Sequence, residues 1–472
     1  MRSNIFFPLF EQSRLPIAEE NAILVMLFLV YLMEDIVTSN KKTFFRYVIP
    51  SILSFALSGV YAIVDGFFVG NCIGDVGLSA INVAFPIQAM IQAVGTGIGM
   101  GGAVKYAITN AEGNNEQARK YIACSLWMMF IFSAVITASV FLNSTRLLIA
   151  LGASGELITL GNQYIRVVVL ATIMQILGTG LVPFMRNYGG AFWAMVAMIS
   201  GFATNIVFDY MFVWVFDMGM YGASTATILG QCVTGIIAVI FCAKKKNITF
   251  KIGLSEVRGT LGQIVKIGLA PFGMALTPNI SLVLTNKFSA MYGGQEAIAI
   301  YACIGYIMCI LTLILQGVGD GSQPLFSHYY GEGNDALLKQ TKILAYQFAI
   351  ALAIIGSVIL FLFRHRVGTL FGASPEVNAD IIKCMPIFLI SIPFVAITRV
   401  ATSSFYATEK SILSYIVTFA EPILLFIMLL TLPKYFGGQI MIWWSTVIGR
   451  IVTALIAVLL AIKNRNKKHE LS

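Results

Sequence analysis

The stretch from Ile49 to Gly70, IPSILSFALSGVYAIVDGFFVG, decides the fold class. It is apolar and long enough to cross a hydrocarbon core of roughly 30 Å as a helix, yet it carries a carboxylate, Asp65. At the centre of a spanning helix an aspartate costs about 2.5 to 3.5 kcal/mol, so its presence asks for a reason, and work on ions or protons is the usual one. A plainer reading competes. Gly70 to Gly77, with Asn71 and Asp75, reads as the loop that ends the span, and Asp65 lies roughly 7 Å of helix before it, within reach of the interface by snorkelling.

Such runs recur along the chain. Of its 472 residues 58% are hydrophobic and 11% charged, against about 25% charged in soluble domains, so the chain belongs in a membrane. The runs do not alternate in polarity, and backbone groups in lipid must be satisfied within the element, so a helical bundle is predicted and not a barrel. The net charge of +9 comes from Lys and Arg scattered through short loops, which reports topology and argues against nucleic acid. The seven cysteines form no CxxC pair, which argues against a disulfide framework and a zinc site.

Residues 1–43 are unlike the rest and read as an N-terminal extension. Their apolar run, Ala22 to Met33, is about half a span, and an alternative start at Met33 would leave a short polar N-terminus. Twelve spans follow, at 44–70, 78–104, 119–142, 162–184, 190–215, 221–243, 264–291, 297–325, 340–363, 379–404, 411–432 and 438–462. An even count puts both termini on one side. The alternate loops that include the termini hold most of the Lys and Arg, among them Lys105, Arg186, the lysines at 244–246 and Arg399, so that side is expected to be cytoplasmic.

The chain also repeats itself. LGASGE at 151–156 returns as FGASPE at 371–376, a shift of 220 residues. Near the same shift Pro50 pairs with Pro271, Asp65 with Asn286, the glycines 97, 99 and 101 with 317, 319 and 321, and EGN at 112–114 with EGN at 332–334. The predicted fold is therefore all-α: a polytopic membrane protein of twelve transmembrane helices in two pseudo-symmetric six-helix lobes, 44–243 and 264–462. A basic linker, 244–263, joins them, and 463–472 forms a tail. Two similar lobes about a cleft is the architecture of an alternating-access transporter.

The fifth span carries Asn205 and Asp209, four apart and on one helical face. Asp209 and Asp65 lie at one depth, and Thr227 in the sixth span reaches the same level. These four side chains outline an oxygen-rich cage suited to Na⁺, which would make it a metal site. Two adjacent carboxylates suit a proton equally well, because two like charges side by side share one. The competing reading has Asn205 and Asp209 bonding between helices. In the second lobe Asn286, Asp320 in GVGDGSQP and Glu421 before Pro422 are further polar positions, with local structural satisfaction as the alternative. Lys287 and Arg450 are expected to meet acids or carbonyls inside the bundle. The glycines from 95 to 102 are followed by no Lys-Ser or Lys-Thr and read as close helix packing instead of a phosphate loop.

PSILSFALSGVYAIVDGFFVGNCIGDVGLSAINVAFPI, NIVFDYMFVWVFDMGMYGASTATILGQ and GVGDGSQPLFSHYYGEGN together resemble the multidrug and toxic compound extrusion (MATE) transporters, particularly the bacterial multidrug branch. The resemblance runs from about Thr43 to the end of the twelfth span. It implies an antiporter of the cell membrane that expels small organic compounds, often cationic, in exchange for Na⁺ or H⁺, working as a monomer without a cofactor. The family's first-span acid falls on Asp65, its fifth-span asparagine and acid on Asn205 and Asp209, and its sixth-span threonine on Thr227. Some branches place coupling acids in the seventh and tenth spans. Here the seventh offers Asn286 and Lys287, and the tenth has no acid in its core.

Two other readings differ in what is moved or done. A lipid or lipid-linked sugar flippase of the same superfamily would want a cationic cavity for phosphates, and intramembrane basic residues are few. A membrane-embedded enzyme would want a DDxxD or HExxH motif, and an ATP-driven pump a Walker motif; the chain has none of them.

Overall fold

The computed structural model describes residues 39–245, 249–371 and 374–470. The extension before residue 39, and with it the alternative start at Met33, lies outside the described residues. Thirteen helices account for nearly all the rest: α1 (Ser39–Cys72), α2 (Gly74–Ala111), α3 (Asn115–Ala150), α4 (Glu156–Leu170), α5 (Thr172–Asn187), α6 (Ala191–Asp209), α7 (Gly219–Lys244), α8 (Leu254–Gly331), α9 (Asp335–Leu370), α10 (Pro375–Ile390), α11 (Ile392–Tyr406), α12 (Ser411–Phe436) and α13 (Gln439–Glu470).

Among the described residues ten helical stretches, one of them α10 run on into α11, are long and apolar enough to span a bilayer, and α4 with α5 makes an eleventh, bent by 59°. Helix α8, at 78 residues, would be roughly 115 Å long if straight, several times a bilayer core. It is broken at Gly294, whose φ of 63° and ψ of −153° suit glycine alone. Its two legs run in opposite directions. The first passes Gly101 near Ile264 and Gly97 near Phe272, while the last residue of the second, Gly331, returns to Ile108. Counting the legs separately gives the twelve spans the sequence predicts.

The repeat is visible in the helix boundaries. Helices α3, α5, α6 and α7 start 220 residues before α9, α11, α12 and α13. The caps agree: Asn114 Oδ1 accepts from the Gln117 amide at 3.0 Å and Asn334 Oδ1 from the Leu337 amide at 3.1 Å. The interface between lobes is mirrored to within a residue. A Cβ on Gly97 would come 2.9 Å from Phe272 Cβ, and one on Gly317 would come 2.7 Å from Ile52 Cα. The glycine ladder is thus packing surface, as its setting inside a span predicts: a side chain on Gly99 would overlap the Gly180 backbone.

The lobes also hold each other through polar pairs near the lysine- and arginine-rich end. Lys105 Nζ meets Glu409 Oε1 at 2.5 Å, Lys120 Nζ meets Glu256 Oε1 at 2.7 Å, and Asn187 donates to Gln323 Oε1 at 3.0 Å. Tyr121 bonds to Gln263 across the same seam.

Several local expectations change. Gly70 to Gly77 is no loop: α1 runs to Cys72, and α2 begins at Gly74, whose φ of 81° reverses the chain in one residue. The linker read as 244–263 is helical from Leu254, where Glu256 pairs with Lys120. Two arginines assigned to loops, Arg186 and Arg399, sit inside the bundle, Arg186 at 3% exposure and Arg399 half-buried near Glu421 and Arg450.

Candidate functional site

Asp65 sits on α1, Asn205 and Asp209 on α6, and Thr227 on α7. Asp209 is the last residue of α6 before a π-helical turn, Tyr210–Val215, closed by a bond of 2.9 Å from the Phe216 amide to the Met211 carbonyl. Small residues draw α6 and α7 together beside it. A Cβ on Gly230 would come 2.7 Å from the Gly201 carbonyl oxygen and 3.0 Å from Asn205 Cβ, so Thr227, one turn further along, reaches the level of Asn205.

The four predicted side chains meet. The Asp65 and Asp209 carboxyls face each other closely enough to interact directly, which argues against snorkelling for Asp65. Tyr61 and Tyr164 turn their hydroxyls toward Thr227, and the Tyr164 hydroxyl also donates to Gln88 Oε1 at 3.4 Å. Asp209 is 0%, Asn205 2% and Thr227 3% exposed. Thr227 spends its proton on the Ala223 carbonyl at 3.0 Å, so its oxygen faces the site as an acceptor. Neither carboxylate oxygen of Asp209 and neither amide atom of Asn205 has a hydrogen-bond partner. A buried carboxylate with no donor costs several kcal/mol, and it is relieved by a proton or a small cation placed between the oxygens. Na⁺ would find hard oxygens here from Asp65, Asp209, Asn205 and Thr227. Among the described residues no three His, Cys, Asp or Glu cluster, which is the pattern a transition metal would want.

A cavity opens beside this group. It is lined by one stripe each of α2 (Gln92, Thr96, Met100), α5 (Thr179, Val182, Arg186), α6 (Met198, Phe202, Asn205) and α7 (Thr227, Gln231, Thr234), with Phe55 and Tyr61 of α1 and Asp320 of α8. The spacings of three, four and seven or eight residues put each set on one helical face, and the cavity extends about 10 to 12 Å along the helices. Tyr61 stacks on Phe202 with ring centroids 5.1 Å apart. Asn205 and Thr227 mark one end, and Arg186 with Asp320 the other.

The other candidates divide. Asp320 enters the cavity and faces Arg186 across the lobe interface, with Oδ2 4.0 Å from Nη1. Glu421 is satisfied locally by Arg450 Nε at 3.2 Å, and Arg450 also donates to Ser391 Oγ at 3.0 Å, so Arg450 meets an acid as predicted. Asn286 keeps a buried Oδ1 without a partner, far along α8 from Asp320, and Lys287 is exposed. At the 220-residue shift Asn205, Asp209 and Thr227 correspond to Leu425, Leu429 and Val447, all buried and apolar. The second lobe therefore has no copy of the acid pair.

Sequence reasoning missed Tyr61, Tyr164 and Arg186. Tyr61 precedes Asp65 by one turn on the same face and was open to inference; Tyr164 comes from α4, which breaks from α5 by 59°, so counting residues along one straight span does not place it. Arg186 was hidden because a basic residue near a predicted span end looks like a loop residue.

The MatE family model matches residues 50–211 and 272–432, one segment in each lobe. The chain is 23% identical over 433 residues to the multidrug export protein MepA of Staphylococcus haemolyticus, covering 91% of this chain and 95% of that protein. It is 22% identical to MepA of Staphylococcus aureus, over 90% of this chain and 94% of the relative. Among solved structures it resembles a multidrug resistance MATE family transporter of the MOP superfamily in an outward-facing conformation, with a TM-score of 0.83, 24% identity, and coverage of 92% and 97%. With the family match falling on both six-helix lobes, the chain belongs to the MatE family, the multidrug and toxic compound extrusion transporters, and is a multi-pass membrane transporter and not an enzyme.

Proposed function

We propose that this transporter exports amphipathic, often cationic, organic compounds by exchange with Na⁺ or H⁺, and that Asp65 and Asp209, with Asn205 and Thr227, hold the coupling ion. The observation that carries this reading is Asp209: fully buried, beside a second carboxyl, and without a donor. Such a group is stable only when a positive particle visits it, and a particle that visits and leaves is what exchange requires. The names of the relatives supply the cargo class, since the MepA proteins are multidrug export proteins. The cavity suits this cargo, being walled by Phe, Tyr, Met, Gln and Thr with one arginine and one aspartate, instead of the array of cations a lipid diphosphate needs.

The cycle places cargo and coupling ion in one cavity of the first lobe, with the lobes rocking to expose it on either side. The lysine- and arginine-rich end faces the cytoplasm of a plasma membrane, by the positive-inside rule, and the protein works as a monomer. Dye efflux from proteoliposomes under separate Na⁺ and pH gradients tests the reading. One of the two gradients is expected to drive efflux, and Asp209→Asn to abolish it with insertion intact. Full efflux by Asp209→Asn, or efflux insensitive to both gradients, overturns it.

A further inference from the structure

Of the residues lining the cavity only Arg186 and Asp320 carry a charge, and they come from different lobes. Asp320 is well anchored on one side. Its Oδ1 accepts from Gln316 Nε2 at 2.7 Å and from the Tyr406 hydroxyl at 3.2 Å, and its backbone is held by Gly317 against α1 and Gly319 against α11. Its other oxygen is different: Oδ2 stands 4.0 Å from Arg186 Nη1, beyond hydrogen-bond distance. Buried arginine and carboxylate normally close to about 2.8 Å in a two-pronged contact, because each otherwise keeps an unrelieved charge. Here the gap stays open although both groups are nearly inaccessible, at 3% and 5% exposure.

Two further groups stand against the guanidinium, one aromatic and one soft. The Phe55 ring centroid lies 5.5 Å from its central carbon, and Met198 Sδ lies 3.9 Å from Nη2. A carboxylate oxygen, an aromatic face and a polarizable sulfur around one positive group make a receptacle for an organic cation. Arg186 is the chain's own occupant of it, and a loosely held one.

We propose that Asp320 is a specificity-determining residue for cargo: the positive group of the transported compound displaces the Arg186 guanidinium and binds between Asp320 Oδ2 and the Phe55 ring. The inference rests on the export reading above and adds where the cargo's charge sits. It separates the two positive particles of the exchange, the coupling ion at the Asp65 and Asp209 end and the cargo's charge about 12 Å away at the other end of the cavity. Charge selection then falls to a residue of the second lobe, which otherwise contributes little to the wall.

Equilibrium binding to the purified full-length protein tests this with two probes of similar shape, the cation tetraphenylphosphonium and the neutral triphenylphosphine oxide. Asp320→Asn is expected to weaken the cation about tenfold or more and to leave the neutral probe within about twofold. Arg186→Met leaves Asp320 without its resident cation, so tetraphenylphosphonium is expected to raise the melting temperature of that variant more than that of the wild type. If Asp320→Asn does not fold, the double variant Arg186→Met with Asp320→Asn, which removes both charges together, is expected to bind both probes with equal strength. Unchanged cation binding by Asp320→Asn, or an equal loss of both probes, overturns the assignment while the export reading stands. Wild-type protein that binds neither probe overturns both.

Discussion

Asp209 has a side chain that the fold on its own does not need. It accepts no hydrogen bond, is fully enclosed, and stands beside another carboxyl, so an amide in its place would donate an N–H to Asp65 and relieve the site. Asp209→Asn is therefore expected to stabilise the empty protein by about 1 kcal/mol while efflux falls to background, measured by thermal melting in detergent alongside dye export from cells. A structural aspartate would behave in the opposite way, with stability and export falling together. Glu409 makes a second residue-scale case. Its φ is 59°, a left-handed value that costs a residue with a Cβ about 1 kcal/mol, and its counterpart 220 residues earlier is Gly189, with φ of 78°. Glutamate stands where the repeat has glycine, and its carboxylate reaches Lys105 of the other lobe. Glu409→Gly is expected to leave stability nearly unchanged, as relieved strain offsets a lost ion pair, whereas Glu409→Ala loses the pair, keeps the strain and falls by about 1 kcal/mol. Melting curves of the two variants separate these outcomes. At this scale the sequence was legible where one helix carried the signal: Asn205 and Asp209 lie four apart, and the depth of Asp65 follows from counting residues. What it hid were partners brought by tertiary bends, Tyr164 and Arg186, whose positions depend on the 59° break between α4 and α5.

Several of the closest helix contacts in this bundle are made at glycine. In a membrane no hydrophobic drive pushes helices together, so close approach of backbones and the dispersion it permits must do so. Gly99 on α2 faces the Gly180 backbone with no room for a methyl group, and Gly99→Ala is expected to cost about 2 kcal/mol through overpacking. Gly262 on α8 is a control within the same bundle. A Cβ there would meet nothing within 4 Å, so Gly262→Ala should gain about 0.5 to 1 kcal/mol of helix propensity. Thermal stability and yield of the two variants test the contrast, and equal effects would show that glycine spacing does not set the helix positions. The ladder itself could be read in sequence as packing, because it lay inside a span and repeated 220 residues on. The break at Gly294 was legible too, since one predicted span ends at 291 and the next begins at 297; the π-helical turn after Asp209 was not, because it depends on backbone angles that no hydrophobic pattern encodes.

The whole molecule is two copies of one six-helix design, of which the first carries the acid pair and the second carries Asn286 and Leu429 at the matching positions. On the proposed exchange, that asymmetry makes the lobe interface the part that converts ion binding in one lobe into movement of both. The interface is closed near the lysine- and arginine-rich end by Lys105 with Glu409, Lys120 with Glu256, and Asn187 with Gln323, all between lobes. The two ion pairs are short but partly exposed, worth at most about 1 kcal/mol each, so they hold one conformation without locking it. Alternating access requires them to part, because the cavity otherwise reaches one side alone. In a background lacking the seven native cysteines, a bifunctional thiol reagent bridging Lys105→Cys and Glu409→Cys is therefore expected to stop efflux. A reducible reagent should allow recovery on cleavage. Bridging Thr145→Cys and Asn162→Cys, whose parent side chains touch at 3.0 Å within the first lobe, should leave efflux intact. Full transport with the lobes tied at Lys105 and Glu409 would mean that the seam stays shut throughout the cycle, and rocking of the lobes would have to be replaced by movement of helices within the first.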